Sequence, residues 1–400
     1  MKIYTADDVL RIAKRFHNTR RNYLLVNPLQ GKHLPTSPTA ALEMMDTLGK
    51  QVAEKISDAR LVIGFAETAT AIGAVVAKNL SDSTSNAHAL RMDAATELES
   101  STCCGANAGS NVTFAGDCVY LQTTREKFSG KFVDFLEEHS HAPEQKLFAE
   151  NFSELLKNTG GVVFVDDELS TGKTLLNIVR QLKSKFPALA EKKICAASII
   201  NRLSEENLAT LAAENIFCTY LVKLPQTPFD VEKFSITDAQ PITPAKNTDY
   251  QTENLEALSD PRRGVAIGEY FSQCAAAGNF VVDLLKREKI SGKVVVLGTE
   301  EFMLPAIIAG RCLEAENFSV VTHSTTRSPI GISRDENYPI REGFKLRSFY
   351  DATRTTFIYN LQHYDAAVIM TNAQNFSSGL DDLLAALNVH GVGKIFLVRC

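Results

Sequence analysis

The stretch that most constrains this chain is Gly160-Gly161-Val162-Val163-Phe164-Val165-Asp166-Asp167-Glu168-Leu169-Ser170-Thr171-Gly172-Lys173-Thr174. A Gly-Gly break precedes four apolar, mostly β-branched residues, which read as a short strand buried on both faces. Two carboxylates, Asp166 and Asp167, stand where that strand is expected to end, and a loop of small hydroxyl and glycine residues then opens a helix over 175–185. Strand, loop and helix N-terminus bring unpaired backbone N–H groups and the positive end of a helix dipole to one spot, a geometry that binds an anion. Gly172 lets the backbone approach a ligand closely, and Ser170, Thr171 and Thr174 add hydroxyl donors.

Gly172-Lys173-Thr174 matches the last three positions of a Walker A loop, but that loop needs a glycine where Asp167 stands. A carboxylate in that cradle would repel a triphosphate, which excludes a P-loop NTPase. A ligand carrying a phosphate and, a sugar's width away, vicinal hydroxyls satisfies both features. The run resembles the phosphoribosyl-pyrophosphate (PRPP) motif of type I phosphoribosyltransferases: apolar strand, two acids, then Thr-Gly-Gly/Lys-Thr. The resemblance implies that Asp166 and Asp167 hold the ribose 2- and 3-hydroxyls, while Ser170, Thr171, Gly172, Lys173 and Thr174 bind the 5-phosphate. An ordinary βα turn with capping residues would account for Thr171 and Thr174, but not for two acids at a strand end.

Four hundred residues suffice for two or three domains, each with its own core. A net charge of −5, with no Lys/Arg tract, argues against a nucleic-acid binder that works by neutralising phosphates. With no apolar leader-like segment and no run long enough to span a bilayer, a cytoplasmic protein without a membrane partner is the expectation. The eight cysteines form no CxxC pair, so neither zinc nor a disulfide framework is indicated. Cys195 and Cys218 lie inside apolar strand-like runs and read as buried thiols, and Cys103-Cys104 carry no assigned role.

Along the chain, Val9, Ile12, Ala13 and Phe16 recur at helical spacing over 6–17, with Thr5 and Asp8 placed as a capping box. A strand at 23–26 leads to a turn-rich segment, 27–35, containing Lys32 and His33; it reads as a surface loop, or as a hood over an acceptor pocket. A helix over 39–55 and a strand over 60–63 precede Gly64-Phe65-Ala66-Glu67-Thr68-Ala69-Thr70-Ala71-Ile72-Gly73, a second phosphate-type turn. Beside the 162–174 motif this turn resembles the loop that holds pyrophosphate, through the backbone of Ala66, Glu67 and Thr68. A helix is compatible with 88–99 in an otherwise Ser/Ala/Asn/Thr-rich connection. After a strand at 118–121 come Arg125 and Lys127, then His139 and His141, then a helix expected over 144–157 that carries Phe148, Phe152 and Leu155 inward. His139 and His141 read as an anion-facing pair, as half of a metal site, or as a solvated loop.

Gly-Phe-Ala-Glu-Thr-Ala-Thr, Thr-Thr-Arg and His-Ser-His-Ala together resemble one branch of these enzymes, found in tellurite-resistance-type stress operons. Its members carry a C-terminal module named for a Thr-Arg-Ser-Pro (TRSP) motif, which stands here as Thr326-Arg327-Ser328-Pro329. The implied fold is α/β: a type I phosphoribosyltransferase-like, mostly parallel sheet with flanking helices over 1–224. A Pro/Thr/Asp/Gln-rich linker at 225–262 and a smaller α/β domain at 263–400 follow. The second half reads as a degenerate duplication of the first, or as a plain α/β domain with common βα turns: 295–301 answers 62–67, Thr325-Thr326-Arg327 answers Thr123-Thr124-Arg125, and 366–372 answers the acid-bearing strand. There Thr371-Asn372 replace the acid pair and Phe376 would crowd a phosphate. Arg341, Arg347 and Arg354 gather with Arg327 in one loop-rich region, which reads as a solvated surface, or as a pocket at the interface with the first half that presents an acidic acceptor or product or docks a partner enzyme.

What the resemblance implies is transfer of a 5-phosphoribosyl group from PRPP to a nucleobase-like nitrogen, with Mg²⁺ carried on substrate oxygens and no dedicated protein metal site. Arg125, Lys127, His139 and His141 would close over departing pyrophosphate. Such a reaction would serve synthesis of a nucleotide-like metabolite, alongside other enzymes of the same pathway, in a chain compatible with homo-oligomers. Two other readings stay open: a PRPP- or nucleotide-sensing protein without turnover, and a hydrolase of a nucleotide-like conjugate.

Overall fold

The computed structural model describes residues 2–16, 21–92, 117–136, 144–244, 248–374 and 376–400. It opens with one turn of helix, α1 (Ala6–Val9), closed by the expected Thr5/Asp8 capping box. The helix does not continue over 6–17: Leu10 is extended, and β1 (Arg11–Lys14) pairs antiparallel with β2 (Tyr23–Val26). Val9 and Ala13 are buried in either arrangement, so apolar spacing alone does not distinguish them. Then come α2 (Pro38–Lys55), capped by Ser37, β3 (Ala59–Gly64), α3 (Thr70–Met92) and β4 (Val119–Gln122). Of the helix expected over 88–99, the part up to Met92 is a continuation of α3, and the rest lies outside the described residues.

β5 (Phe132–Leu136) and β6 (Glu144–Phe148) form an antiparallel hairpin. The helix expected over 144–157 is thus a strand followed by the short α4 (Phe152–Lys157). Phe148, Phe152 and Leu155 are buried all the same, because Phe148 packs against the Phe128 and Phe132 rings and the helix takes over at Phe152. His139 and His141, between β5 and β6, lie outside the described residues. β7 (Gly161–Leu169), α5 (Lys173–Lys185), β8 (Lys193–Asn201), α6 (Glu205–Ala213) and β9 (Ile216–Lys223) complete the alternation. β7 does not stop before the acids but runs through Asp166 and Asp167, because β8 remains paired with it as far as Leu169 opposite Asn201.

The tract 225–262 contributes β10 (Gln240–Pro241) and β11 (Gln251–Asn254), both paired with strands of the second half. β12 (Val265–Ala266) then adds itself antiparallel to β4 at the edge of the first sheet. The second half proceeds through α7 (Ile267–Arg287), β13 (Lys293–Gly298), α8 (Leu304–Ala315), β14 (Ser319–Ser324), the hairpin β15 (Gly343–Arg347) and β16 (Thr355–Tyr359), β17 (Ala366–Thr371), α9 (Ser377–Val389) and β18 (Lys394–Arg399).

The two halves share one topology. The parallel strands of the first run β4-β3-β7-β8-β9, and those of the second run β14-β13-β17-β18-β11, with an antiparallel hairpin inserted at the same point of each. Local hydrogen bonds repeat as well. Thr123 N–H donates to Gly64 O at 2.9 Å and Thr325 N–H to Gly298 O at 3.2 Å. Ala66 N–H donates to Thr123 Oγ1 at 2.8 Å and Glu300 N–H to Thr325 Oγ1 at 3.0 Å. The outer positions differ: the edge next to β8 and β18 is filled by β9 in the first half and by the upstream β11 in the second, and β12 flanks β4 with no counterpart beside β14 among the described residues.

The halves meet through these equivalent turns in a pseudo-twofold manner. Arg327 N–H donates to both oxygens of Glu67, at 3.3 and 3.2 Å, and Arg125 N–H donates to Glu301 Oε1 at 3.2 Å. Segment 27–35, expected as a surface loop or hood, is packed between the halves, with Lys32 and His33 only 0% and 1% exposed. Lys32 Nζ pairs with Glu67 and donates to Glu300 O at 2.6 Å and Thr325 O at 3.0 Å, so all three of its protons have acceptors. Apolar packing crosses the same boundary, since Ile307 and Leu304 of α8 and Tyr270 of α7 share one core with α2 and α3.

Burial alone would raise the Glu67 carboxyl, but Lys32 and Arg327 overcome it and hold it at about 2. A carboxyl depressed in the folded state contributes stability above its ordinary value of 4.5, and this is lost as pH falls through the folded value. The denaturant midpoint of the protein should therefore drop between about pH 5 and about pH 2, and Glu67→Gln should flatten that part of the profile. At neutral pH, Lys32→Met should cost about 3 kcal/mol, because it leaves a buried carboxylate short of a cation. An unaltered acid limb in Glu67→Gln would show that the pair does not govern acid stability.

Candidate active site

The C-terminal ends of β3 and β7 and the turn after β4 open into one cavity of about 330 Å³. Parallel strands with crossover helices leave their carboxyl ends clear of helix, which is where such sheets hold ligands. Asp166 and Asp167 line this cavity and are half-buried. Asp167 Oδ1 accepts from the Thr68 hydroxyl at 2.8 Å, which ties the acid pair to the turn after β3. Asp166 Oδ1 accepts from the Asp167 N–H at 2.9 Å, fixing the orientation of that carboxylate.

Ser170, Thr171, Gly172, Lys173 and Thr174 form the next wall, at the N-terminus of α5. Gly172 has φ 74°, and a Cβ added there would lie 3.1 Å from the Leu203 side chain, so the turn needs glycine for both reasons. The first turn of α5, whose N–H groups have no acceptor within the helix, stands in this wall.

In the turn after β3, the sequence assigns an anion to the backbone of Ala66, Glu67 and Thr68. Ala66 is already engaged on both sides: its N–H donates to Thr123, and its C=O accepts from Gln145 Nε2 at 2.9 Å. The amides of Glu67 and Thr68 make no hydrogen bond within the protein among the described residues, and both residues line the cavity. The Ala66–Glu67 peptide is cis.

Arg125 reaches the cavity wall. Lys127, expected beside it, is exposed and does not line the cavity, because the bend after β4 turns Glu126 inward instead, at 7% exposure. Arg327, Ser328 and Arg354 of the second half also line the cavity, whereas Arg341 and Arg347, expected with them, do not. Arg347 forms a bidentate pair with Asp382 at 2.9 and 2.6 Å, and Arg341 donates to Arg334 O at 2.9 Å. Arg327 Nε donates to Glu300 Oε2 at 2.8 Å, and its Nη2 pairs with Glu126 and with Glu301 at 3.2 Å.

Glu168, Arg21 and Gln145 were not singled out from the sequence. Glu168, one residue past the acid pair, pairs with Arg21 and lies 3.7 Å from Arg202, and both guanidinium groups sit over the Tyr23 ring. It clamps β7 to β2 instead of joining the acid pair. A signal for Arg327 was legible: it stands at the same offset after β14 as Arg125 does after β4.

In the corresponding region of the second half the side chains bond to one another. The Tyr350 hydroxyl donates to Asn372 Oδ1 at 2.7 Å and lies 3.1 Å from Thr299 Oγ1, which is itself 2.9 Å from Thr371 Oγ1.

A family model described as "Phosphoribosyl transferase" matches residues 9–100 and 94–223, and one described as "TRSP domain C terminus to PRTase_2" matches 261–387. Among solved structures, the chain is distantly similar to the adenine phosphoribosyltransferase of Giardia lamblia complexed with 9-deazaadenine. That pair shares 14% identity over 55% of this chain and 96% of that one, with a TM-score of 0.32. The orotate phosphoribosyltransferase of Aeropyrum pernix shares 16% identity over 55% and 89%, with a TM-score of 0.30. The adenine phosphoribosyltransferase of Trypanosoma brucei, in complex with AMP, pyrophosphate and ribose-5-phosphate, shares 14% identity over 54% and 76%, with a TM-score of 0.34. No curated protein matches the chain significantly. With that family model spanning more than half of its length and the TRSP model covering most of the remainder, the chain belongs to the phosphoribosyltransferase family, in the form that carries a C-terminal TRSP domain.

Proposed function

We propose that this phosphoribosyltransferase uses PRPP as donor and a nucleobase-like nitrogen as acceptor, releasing pyrophosphate. The observation that carries the reading is the joining of two anion-binding turns to one acid pair in a single cavity, with the Thr68–Asp167 bond linking them. Asp166 and Asp167 would accept from the ribose 2- and 3-hydroxyls. The 170–174 turn would take the 5-phosphate through its amides and hydroxyls. Glu67 and Thr68 would present their amides to pyrophosphate, with Arg125 adding charge.

Displacement at the anomeric carbon passes through a state with oxocarbenium character, so the groups that matter fix the ribose, stabilise the leaving charge and keep water away. The hard carboxylate oxygens of Asp166 and Asp167, beside a phosphate-binding turn, fit Mg²⁺, which takes one or two carboxylates together with substrate phosphates. When bound, that ion supplies positive charge to the departing pyrophosphate. Arg125 serves the same end from the protein side. Lys127 has no part in this geometry as it stands, and His139 and His141 lie outside the described residues.

Asp166→Asn together with Asp167→Asn should abolish PRPP binding measured by calorimetry with Mg²⁺, while the circular dichroism spectrum stays unchanged. Undiminished affinity would remove the acids from ribose recognition. Arg125→Ala should lower kcat by about 100-fold with little change in PRPP affinity, because its charge is needed most as pyrophosphate leaves. Pyrophosphate release followed over a panel of bases and cell extracts would identify the acceptor. Release that depends on no added acceptor would favour hydrolysis.

A further inference from the structure

The cavity is not the property of one half. Arg327, Ser328 and Pro329, together with Arg354 and Thr355, form part of its wall, although they come from the second repeat. At the equivalent place in that repeat Tyr350, Asn372, Thr299 and Thr371 bond to one another. Where Ala66 stands in the first turn, the equivalent position is Glu300, whose carboxylate faces cations: Arg327 Nε at 2.8 Å and Arg354 Nη1 at 3.3 Å. A carboxylate at that position disfavours an anion and favours arginine. The second turn therefore holds guanidinium groups where the first would hold phosphate, and it holds them against its neighbour's cavity.

The two arginines are held differently. Arg327 is buried and clasped by Glu67, Glu126, Glu300 and Glu301, and its backbone N–H fixes the Glu67 carboxylate within the 66–68 turn. Arg354 retains a quarter of its side-chain exposure, and it shares Glu126 with Arg327, its Nη1 lying 2.5 Å from Glu126 Oε1. Arg354 lines the cavity and is joined to the 66–68 turn through Glu300 and Arg327, whose backbone N–H holds Glu67. Burial alone would lower both guanidinium groups, but the surrounding carboxylates more than offset it and keep both charged at any working pH.

Resting on the PRPP reading above, we infer that the second half acts as a built-in partner subunit for the first. Arg354 contacts the departing pyrophosphate, and Arg327 is a positioning residue that holds the 66–68 turn through Glu67. The silent repeat thus completes its sibling's active site by supplying cations to the leaving group.

The test uses the full chain with Mg²⁺ and two separate probes, inorganic pyrophosphate and ribose 5-phosphate, titrated by calorimetry. Arg354→Gln should weaken pyrophosphate by about tenfold or more, the loss of a charged hydrogen bond, and leave ribose 5-phosphate affinity unchanged. Arg354→Lys, which keeps the charge but not the fork, should recover part of the loss. Arg327→Gln should show the same selectivity, and Glu67→Gln should reproduce it if Arg327 works through that carboxylate. Unchanged pyrophosphate affinity in Arg354→Gln, or equal loss of both probes, overturns the inference, and the ribose 5-phosphate titration doubles as the control for folding. A wild-type protein that binds neither probe would instead overturn the PRPP reading on which this one rests.

Discussion

The structure depends on one buried cluster of opposite charges where the two repeats touch. Glu67 sits between Lys32 and Arg327, and Arg327 is shared among Glu67, Glu126, Glu300 and Glu301. Isolated buried ions are costly, and a pair offsets that cost only when geometry is good and every remaining donor is met. Lys32 meets that condition with a carboxylate and two carbonyls. The arrangement favours one relative placement of the halves, because a shift of a few ångströms would strand several charges together. It also sets the turn that faces the cavity, since the side chain of Glu67 is drawn toward the interface.

The shared topology of the halves brings the groups of this cluster together. The same turn occurs twice, and both copies end in residues that can reach across: Arg125 and Glu67 in one, Arg327 and Glu301 in the other. One copy keeps a small residue, Ala66, and an acid pair on the next strand. The other carries Glu300, and Thr371-Asn372 at the place of the acids. A few substitutions at strand ends convert a ligand cradle into an internal contact while the sheet beneath is untouched.

Much of this was legible in the sequence because strand ends and glycine turns carry local chemistry. The acid pair, the 170–174 turn, the 64–70 turn and the repeat order of strands were readable from residue type and spacing. Long-range pairing was not. A helix seemed required over 6–17 by its apolar spacing, but Arg11–Lys14 has Tyr23–Val26 as a partner, and a strand partner twelve residues away leaves no periodic trace. Glu144–Phe148 likewise takes strand form because Phe132–Leu136 lies opposite. Lys32 and His33 read as part of a surface loop or of a hood over a pocket, because burial of a cation depends on a carboxylate thirty-five positions away and on carbonyls from the other half.

The short strand β12 has a further consequence. The second half begins by extending the first half's sheet beside β4, Thr36 bridges to Thr322, and α7 and α8 share a core with α2 and α3. Ties of this kind at sheet, loop and core oppose any swing of one half away from the other. Ligands must then enter and leave by local rearrangement at the cavity mouth, so the timing of a catalytic cycle would be set by loops and side chains and not by the opening of one domain from another.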